Sequence, residues 1–284
     1  MAADVEFKFV KVNGISLHVA LAGPADGPLV ILLHGFPEFW YGWRNQIEPL
    51  AKQGYRVVVP DQRGYNLSDK PPEVDHYSID LLRDDIIGLI NYFEKTNAVI
   101  IGHDWGGAVG WYLAATKPEY VEKFIPINIP HPSVMPAVMA CHPSQLAKSS
   151  YMLFFQLPSW PEKLLQANDY KTLEKTMYSS SKAGTFSSGD MDYYKDAWSP
   201  PGAITSMLNW YRAIFSKGMT IPSPDVTVPT RMIWGVEDHF LTVKSAKKSM
   251  NYCLDGELIL VGDSTHWILH EQPELINKLI TKFL

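Results

Sequence analysis

Ala98-Val99-Ile100-Ile101-Gly102-His103-Asp104-Trp105-Gly106-Gly107 runs from a short β-branched stretch into a helix start without an intervening loop. The apolar residues 98–101 suit a central strand that is buried on both faces. A chain that turns directly from such a strand into a helix crowds its central residue, so small residues are needed two positions to either side. Gly102 and Gly106 stand there, around Asp104. Taken alone the pattern has two readings: Asp104 is a nucleophile on an elbow, or it caps the helix that follows.

Similar short apolar runs recur on both sides of this stretch. Residues 29–33 lead into His34-Gly35-Phe36-Pro37, residues 57–59 end at Pro60-Asp61, and residues 124–129 form a further run. Ser78 is placed to cap a helix carrying Leu82, Ile86, Leu89, Ile90 and Phe93 at helical spacing. Between His131 and Pro224 the strand signal lapses, and helical stretches alternate with breaks at 179–189 and 199–202. Strand-like runs return at 231–234 and 257–261, and Pro273 opens a last amphipathic helix. The expected fold is α/β: a mostly parallel sheet with helices on both faces and an inserted helical cap. The expected boundaries are 1–130 and 225–284 for the two parts of the core and 131–224 for the cap.

Composition narrows the class. The chain has 284 residues, 46% hydrophobic and 19% charged, with a formal net charge of -5. It carries no basic cluster, so nucleic acid is not an expected partner. No apolar stretch is long enough to span a bilayer and no signal-like start is present, so the expectation is a cytoplasmic protein without a membrane partner. Cys141 and Cys253 read as free thiols, with one disulfide as the alternative. No histidine or carboxylate cluster has metal-ligand spacing, so no metal and no cofactor is expected.

A carboxylate at the elbow is ionised at neutral pH and needs no base in order to attack. Attack on a carbonyl would give a high-energy anhydride, so the natural target is an electrophilic sp³ carbon. That attack leaves an alkyl ester, which water must then cleave, and the base enters only at this second step. His266 follows the last strand and is the candidate base. Asp238 ends the preceding strand and is the candidate to orient it. The order nucleophile, acid, histidine is that of an α/β-hydrolase triad, which favours the nucleophile over the helix cap. Glu237 and Asp263 are alternative acids; His34 and His103 read as structural hydrogen-bonders and His270 as a surface or packing residue. The backbone N–H groups of Phe36 and Trp105 are the expected oxyanion donors, and Pro37 is a candidate for a cis peptide bond.

His34-Gly35-Phe36-Pro37-Glu38, Asp61-Gln62-Arg63-Gly64-Tyr65, Gly102-His103-Asp104-Trp105-Gly106-Gly107 and the Asp238/His266 pair resemble the soluble epoxide hydrolases of the α/β-hydrolase fold. The resemblance extends along essentially the whole chain, though dehalogenases share much of that core. Two cap tyrosines that bind the epoxide oxygen distinguish the epoxide hydrolases. Tyr151, before Phe154-Phe155-Gln156, and Tyr211, within Asn209-Trp210-Tyr211-Arg212, match their segments. Opening an epoxide makes an alkoxide that needs an acid, which a protonated phenol supplies. Phe36 stands where haloalkane dehalogenases often carry a halide-binding Asn, and no arginine follows Asp104 as in fluoroacetate dehalogenases. The resemblance therefore implies conversion of an apolar or aromatic epoxide to a diol. A dehalogenase and a non-catalytic binding protein on the same fold are the alternatives. The cap holds seven of the ten methionines; Phe36, Trp105, Phe155 and Met135 are the candidate pocket residues.

Overall fold

A computed structural model describes residues 5–135, 138, 148–219 and 221–284. Eight strands form one sheet in the order β1-β2-β4-β3-β5-β6-β7-β8. They are β1 (Glu6–Val12), β2 (Ile15–Ala22), β3 (Leu29–Leu33), β4 (Arg56–Pro60), β5 (Ala98–His103), β6 (Val121–Ile127), β7 (Thr230–Gly235) and β8 (Gly256–Val261). From β4 to β8 every neighbouring pair is parallel; β2 runs antiparallel to β4 and to β1. The five residues of β3 and the six of β5 are all buried, as expected of strands covered by helices on both faces.

The β1–β2 hairpin has no counterpart in the sequence reading. Its turn is Asn13-Gly14, both at positive φ, with Val12 paired to Ile15. That dipeptide is a strong hairpin signal. β1 is largely exposed and lacks the continuous apolar run that marks the central strands.

Two boundaries shift. The run at 124–129 is the end of a strand that begins at Val121 and stops at Ile127, before Asn128 turns the backbone to a φ of 46°. Ser78 precedes the helix Ile79–Tyr92, but its side chain makes no capping hydrogen bond; its backbone carbonyl accepts from Leu82 N–H instead. The helix Pro273–Phe283 begins at its proline as expected.

Between β6 and β7 the described residues include the helices Tyr151–Phe154, Trp160–Ser180, Ser188–Trp198 and Ala203–Lys217. Trp160–Ser180 is broken at 167–170, with positive φ at Asn168, Asp169 and Tyr170. Ser187 forms a capping box with Asp190 that starts the next helix. No helix of the described residues is long and apolar enough to cross a membrane. Cys253 is a free thiol, while Cys141 lies outside the described residues.

Candidate active site

The loops that leave β3, β5, β7 and β8 at their C-terminal ends converge, the usual place for a site in an open parallel sheet. Asp104 sits between β5 and the helix Trp105–Thr116 at φ 49° and ψ -123°, a strained backbone for a non-glycine residue. Its carboxylate does not cap that helix. Such a turn requires backbone contact on both sides. A Cβ on Gly102 would lie 2.5 Å from Gly106 O, and one on Gly106 would lie 2.2 Å from Leu33 O. The glycines flanking Asp104 are thus fixed by close packing against each other and against the end of β3.

Asp104 Oδ1 accepts a hydrogen bond from Phe36 N–H at 3.0 Å, and Oδ2 lies 3.6 Å from His266 Nε2. The peptide bond from Phe36 to Pro37 is cis. The Trp105 N–H makes no hydrogen bond to the carboxylate, so one of the two expected backbone donors is engaged in this structure.

His266 Nδ1 meets Asp238 Oδ2 at 2.8 Å, and both residues are buried. Asp238 is held from three further directions. Asn128 Nδ2 donates to its Oδ2 at 2.7 Å, and the backbone N–H groups of Phe240 and Leu241 donate to its Oδ1 at 2.7 and 2.9 Å. Burial would raise the Asp238 pKa, but the His266 charge and these hydrogen bonds hold it below the ordinary 3.8. Burial likewise acts to lower the pKa of His266. The Asp238 charge and hydrogen bond, followed by the Asp104 charge, reverse this and raise it to about 9.

The other acid candidates are engaged elsewhere: Lys182 Nζ donates to Glu237 at 2.7 Å and to Asp263 at 2.6 Å. His34 is structural, its Nε2 accepting from Gln62 N–H at 3.0 Å. His103 donates through Nε2 to the backbone carbonyl of His266 at 2.9 Å, which helps set the height of the His266 loop. His270 is buried rather than on the surface, 2.7 Å from Glu38 Oε1 and 2.9 Å from Arg44. Its burial fits the packing alternative, but the contacts among Glu38, His270 and Arg44, and Asn128 behind Asp238, escaped the sequence reading. Neither belongs to a local motif; their partners lie in distant parts of the chain.

Above the carboxylate is a cavity of about 270 Å³ with Asp104 and His266 on its floor. Tyr151 and Tyr211 line it from the inserted helices, their ring centroids 5.9 Å apart. Phe36, Phe155, Phe240, Leu165 and Leu173 supply apolar wall. Of the other candidate pocket residues, Trp105 packs edge-on against Tyr211 at 4.9 Å behind the wall, and Met135 packs against the core without lining the cavity. Burial raises the pKa of both tyrosines, as does the nearby Asp104 charge, so both carry their protons at neutral pH.

The segment around Tyr211 shows why its residues stand together. Trp210 Nε1 donates to Arg63 O at 2.9 Å and Asn209 Nδ2 to Pro72 O at 3.3 Å, both tying the helix to the core. Arg212 Nε donates to Phe155 O at 3.0 Å, while Nη1 pairs with Glu162 at 2.7 Å. Arg212 thereby links the segment of Tyr211 to that of Tyr151.

A doubly covered parallel sheet with a strained acidic elbow and an Asp–His pair at its carboxyl edge defines an α/β hydrolase, and a family model of the alpha/beta hydrolase fold matches residues 28–273. Among curated relatives, Epoxide hydrolase 4 of Mus musculus is 40% identical over 97% of this chain and 78% of its own length. The AB hydrolase superfamily protein YfhM of Bacillus subtilis is 58% identical over 99% of this chain and 98% of its own. The crystal structure of the Bacillus megaterium epoxide hydrolase with an inhibitor superposes with a TM-score of 0.91 at 30% identity, covering 97% of this chain and 99% of that one. The chain belongs to the α/β-hydrolase family, and within it to the epoxide hydrolases.

Proposed function

We propose that the protein hydrolyses a compact apolar or aromatic epoxide to a vicinal diol through an ester on Asp104, with residues 131–224 acting as a cap over the site. The observation that carries this is the opposed geometry of the cavity: an anionic Asp104 on its floor, and two protonated tyrosines on the wall contributed by the insertion.

Asp104 Oδ2 is the attacking atom, since Oδ1 is occupied by the Phe36 N–H. Its electron pair forms a bond to a ring carbon while the carbon–oxygen bond of the epoxide breaks. The oxygen takes a proton from Tyr151 or Tyr211 as charge develops on it. Water then adds to the carboxyl carbon, giving its proton to His266 Nε2. The negative charge of the tetrahedral intermediate falls on Oδ1, where the Phe36 N–H already points and the Trp105 N–H is the second candidate donor. Collapse breaks the bond from the carboxyl carbon to Oδ2. The leaving alkoxide takes the proton from His266 and the diol departs; the regenerated Asp104 carboxyl gives its remaining proton to solvent, and the phenolate takes one from solvent. No metal or cofactor takes part in these steps.

Electrostatics couple the two halves. Esterification removes the Asp104 charge, one of the causes that raise the His266 pKa, so the histidine releases its proton more readily when a base is required. In the resting enzyme the raised pKa is also a stability statement. The contribution is fully present below the ordinary 6.5 and is lost as pH rises through about 9. Calorimetry across that interval is expected to show a falling Tm that is flatter in His266→Gln. An equal slope in both would remove this account of His266.

Incubating the enzyme with styrene oxide, and separately with a haloalkane and a haloacetate, tests the reaction class. Diol without halide is the expected result. Halide release without diol formation would assign the same nucleophile to a dehalogenase, and neither product would favour a binding protein.

A further inference from the structure

The loop that carries the oxyanion donor is a tight turn, closed by Glu38 N–H donating to Gly35 O at 2.9 Å. Within it the Phe36 N–H points at Asp104 Oδ1, while the carbonyl of the following residue, Pro37, is bonded to the insertion rather than to Asp104. That carbonyl accepts a hydrogen bond at 2.7 Å from the indole Nε1–H of Trp198, a buried residue at the end of the inserted helix Ser188–Trp198. One turn earlier in the same helix, the hydroxyl of Tyr194 donates to Glu38 Oε1 at 2.6 Å. The two rings stack at 5.9 Å and present their polar atoms to successive residues of the turn. The outer side of the oxyanion turn is therefore held by the insertion, through two side chains that lie outside the substrate cavity.

We propose that Trp198 is a positioning residue for ester hydrolysis: its hydrogen bond to the Pro37 carbonyl holds the Phe36 N–H on the Asp104 oxygen. The inference rests on Asp104 being the nucleophile. Its consequence is asymmetric between the two half-reactions. During alkylation the carboxylate loses charge, so a donor on Oδ1 favours the ground state over the transition state and gives no acceleration. During hydrolysis Oδ1 passes from ester carbonyl to oxyanion, and the same donor gains strength in the transition state. A loosened turn should slow the second half-reaction alone.

The test is rapid-quench analysis with styrene oxide, following the Asp104 ester by mass and the diol by chromatography. Trp198→Phe keeps an aromatic side chain, smaller than the indole, and removes the N–H. Trp111→Phe is the control, because Trp111 is equally buried and donates to the Ile129 carbonyl at 3.2 Å, away from the oxyanion turn. Trp198→Phe is expected to hydrolyse the ester roughly tenfold more slowly, less than the ~100-fold cost of deleting an oxyanion donor outright. Alkylation is not slowed, so kcat and KM fall together, kcat/KM holds, and the steady-state ester rises. Trp111→Phe should show no such split. Tyr194→Phe, which loses only a hydroxyl from the same helix, should shift the balance in the same direction and serves if Trp198→Phe does not fold. Equal slowing of both half-reactions, or of neither, overturns the role of Trp198 and leaves the nucleophile intact. Turnover by an enzyme whose His266→Gln variant never holds an ester on Asp104 overturns both.

Discussion

Replacing His266 with glutamine is expected to stall the enzyme as an ester on Asp104, with steady-state turnover falling by about 10²- to 10⁴-fold. The reason is that alkylation needs no base. The Asp104 carboxylate is itself the nucleophile, and the Phe36 N–H on Oδ1 leaves Oδ2 for the epoxide. Water, in contrast, is too weak a nucleophile to cleave an ester without losing a proton. Glutamine preserves much of the size of the ring but cannot accept that proton and pass it to the leaving alkoxide. Mass spectrometry of the peptide containing Asp104 should show substrate mass added in stoichiometric amount. Asp238→Asn should shift the balance the same way, because the buried carboxylate that meets His266 Nδ1 at 2.8 Å stabilises the imidazolium formed during hydrolysis. A His266→Gln variant that still releases diol at the wild-type rate would remove the histidine from the mechanism.

Loss of the Tyr151 and Tyr211 hydroxyls together has the opposite signature. The double variant Tyr151→Phe with Tyr211→Phe is expected to lower kcat/KM by about 10²- to 10⁴-fold without accumulating ester, because ring opening itself fails. Each single variant retains one donor and should cost about tenfold, the equivalent of one hydrogen bond to a developing charge. Phe155 packs against both rings at 5.4 and 5.0 Å. Phenylalanine in either place therefore keeps the packing. Rapid-quench measurement of ester formation checks the prediction. Accumulation of ester in the double variant would mean that the tyrosines act after ring opening.

What was legible in the sequence depended on whether the physical signal was local. β3 and β5 read as central strands because each is a continuous apolar run, and Asp104 stood out because an elbow requires its two glycines within a few residues. Asp238 and His266 followed from their placement after β7 and β8. β1 escaped because it has no continuous apolar run: its polar and apolar residues alternate, and the alternation sets Phe7 and Phe9 on an exposed face. Asn128 could not have been found by pattern: a single asparagine at a strand end resembles any turn residue until Asp238 is seen 2.7 Å away. The same holds for Glu38. In the sequence it stands only as the last residue of His34-Gly35-Phe36-Pro37-Glu38, yet it is buried and bonded to Tyr194 and His270, residues brought together only by the fold.

The central claim is that Asp104 bonds covalently to substrate and is released by attack of water on its own carboxyl carbon. A single turnover in water enriched in heavy oxygen, with enzyme in excess over styrene oxide, tests it most directly. The account predicts that the diol carries only ordinary oxygen, one atom from the epoxide and one from Asp104, while the peptide containing Asp104 gains one heavy atom. Heavy oxygen in the diol of that first turnover, with Asp104 unlabelled, would mean that water attacks the epoxide directly and would contradict the account.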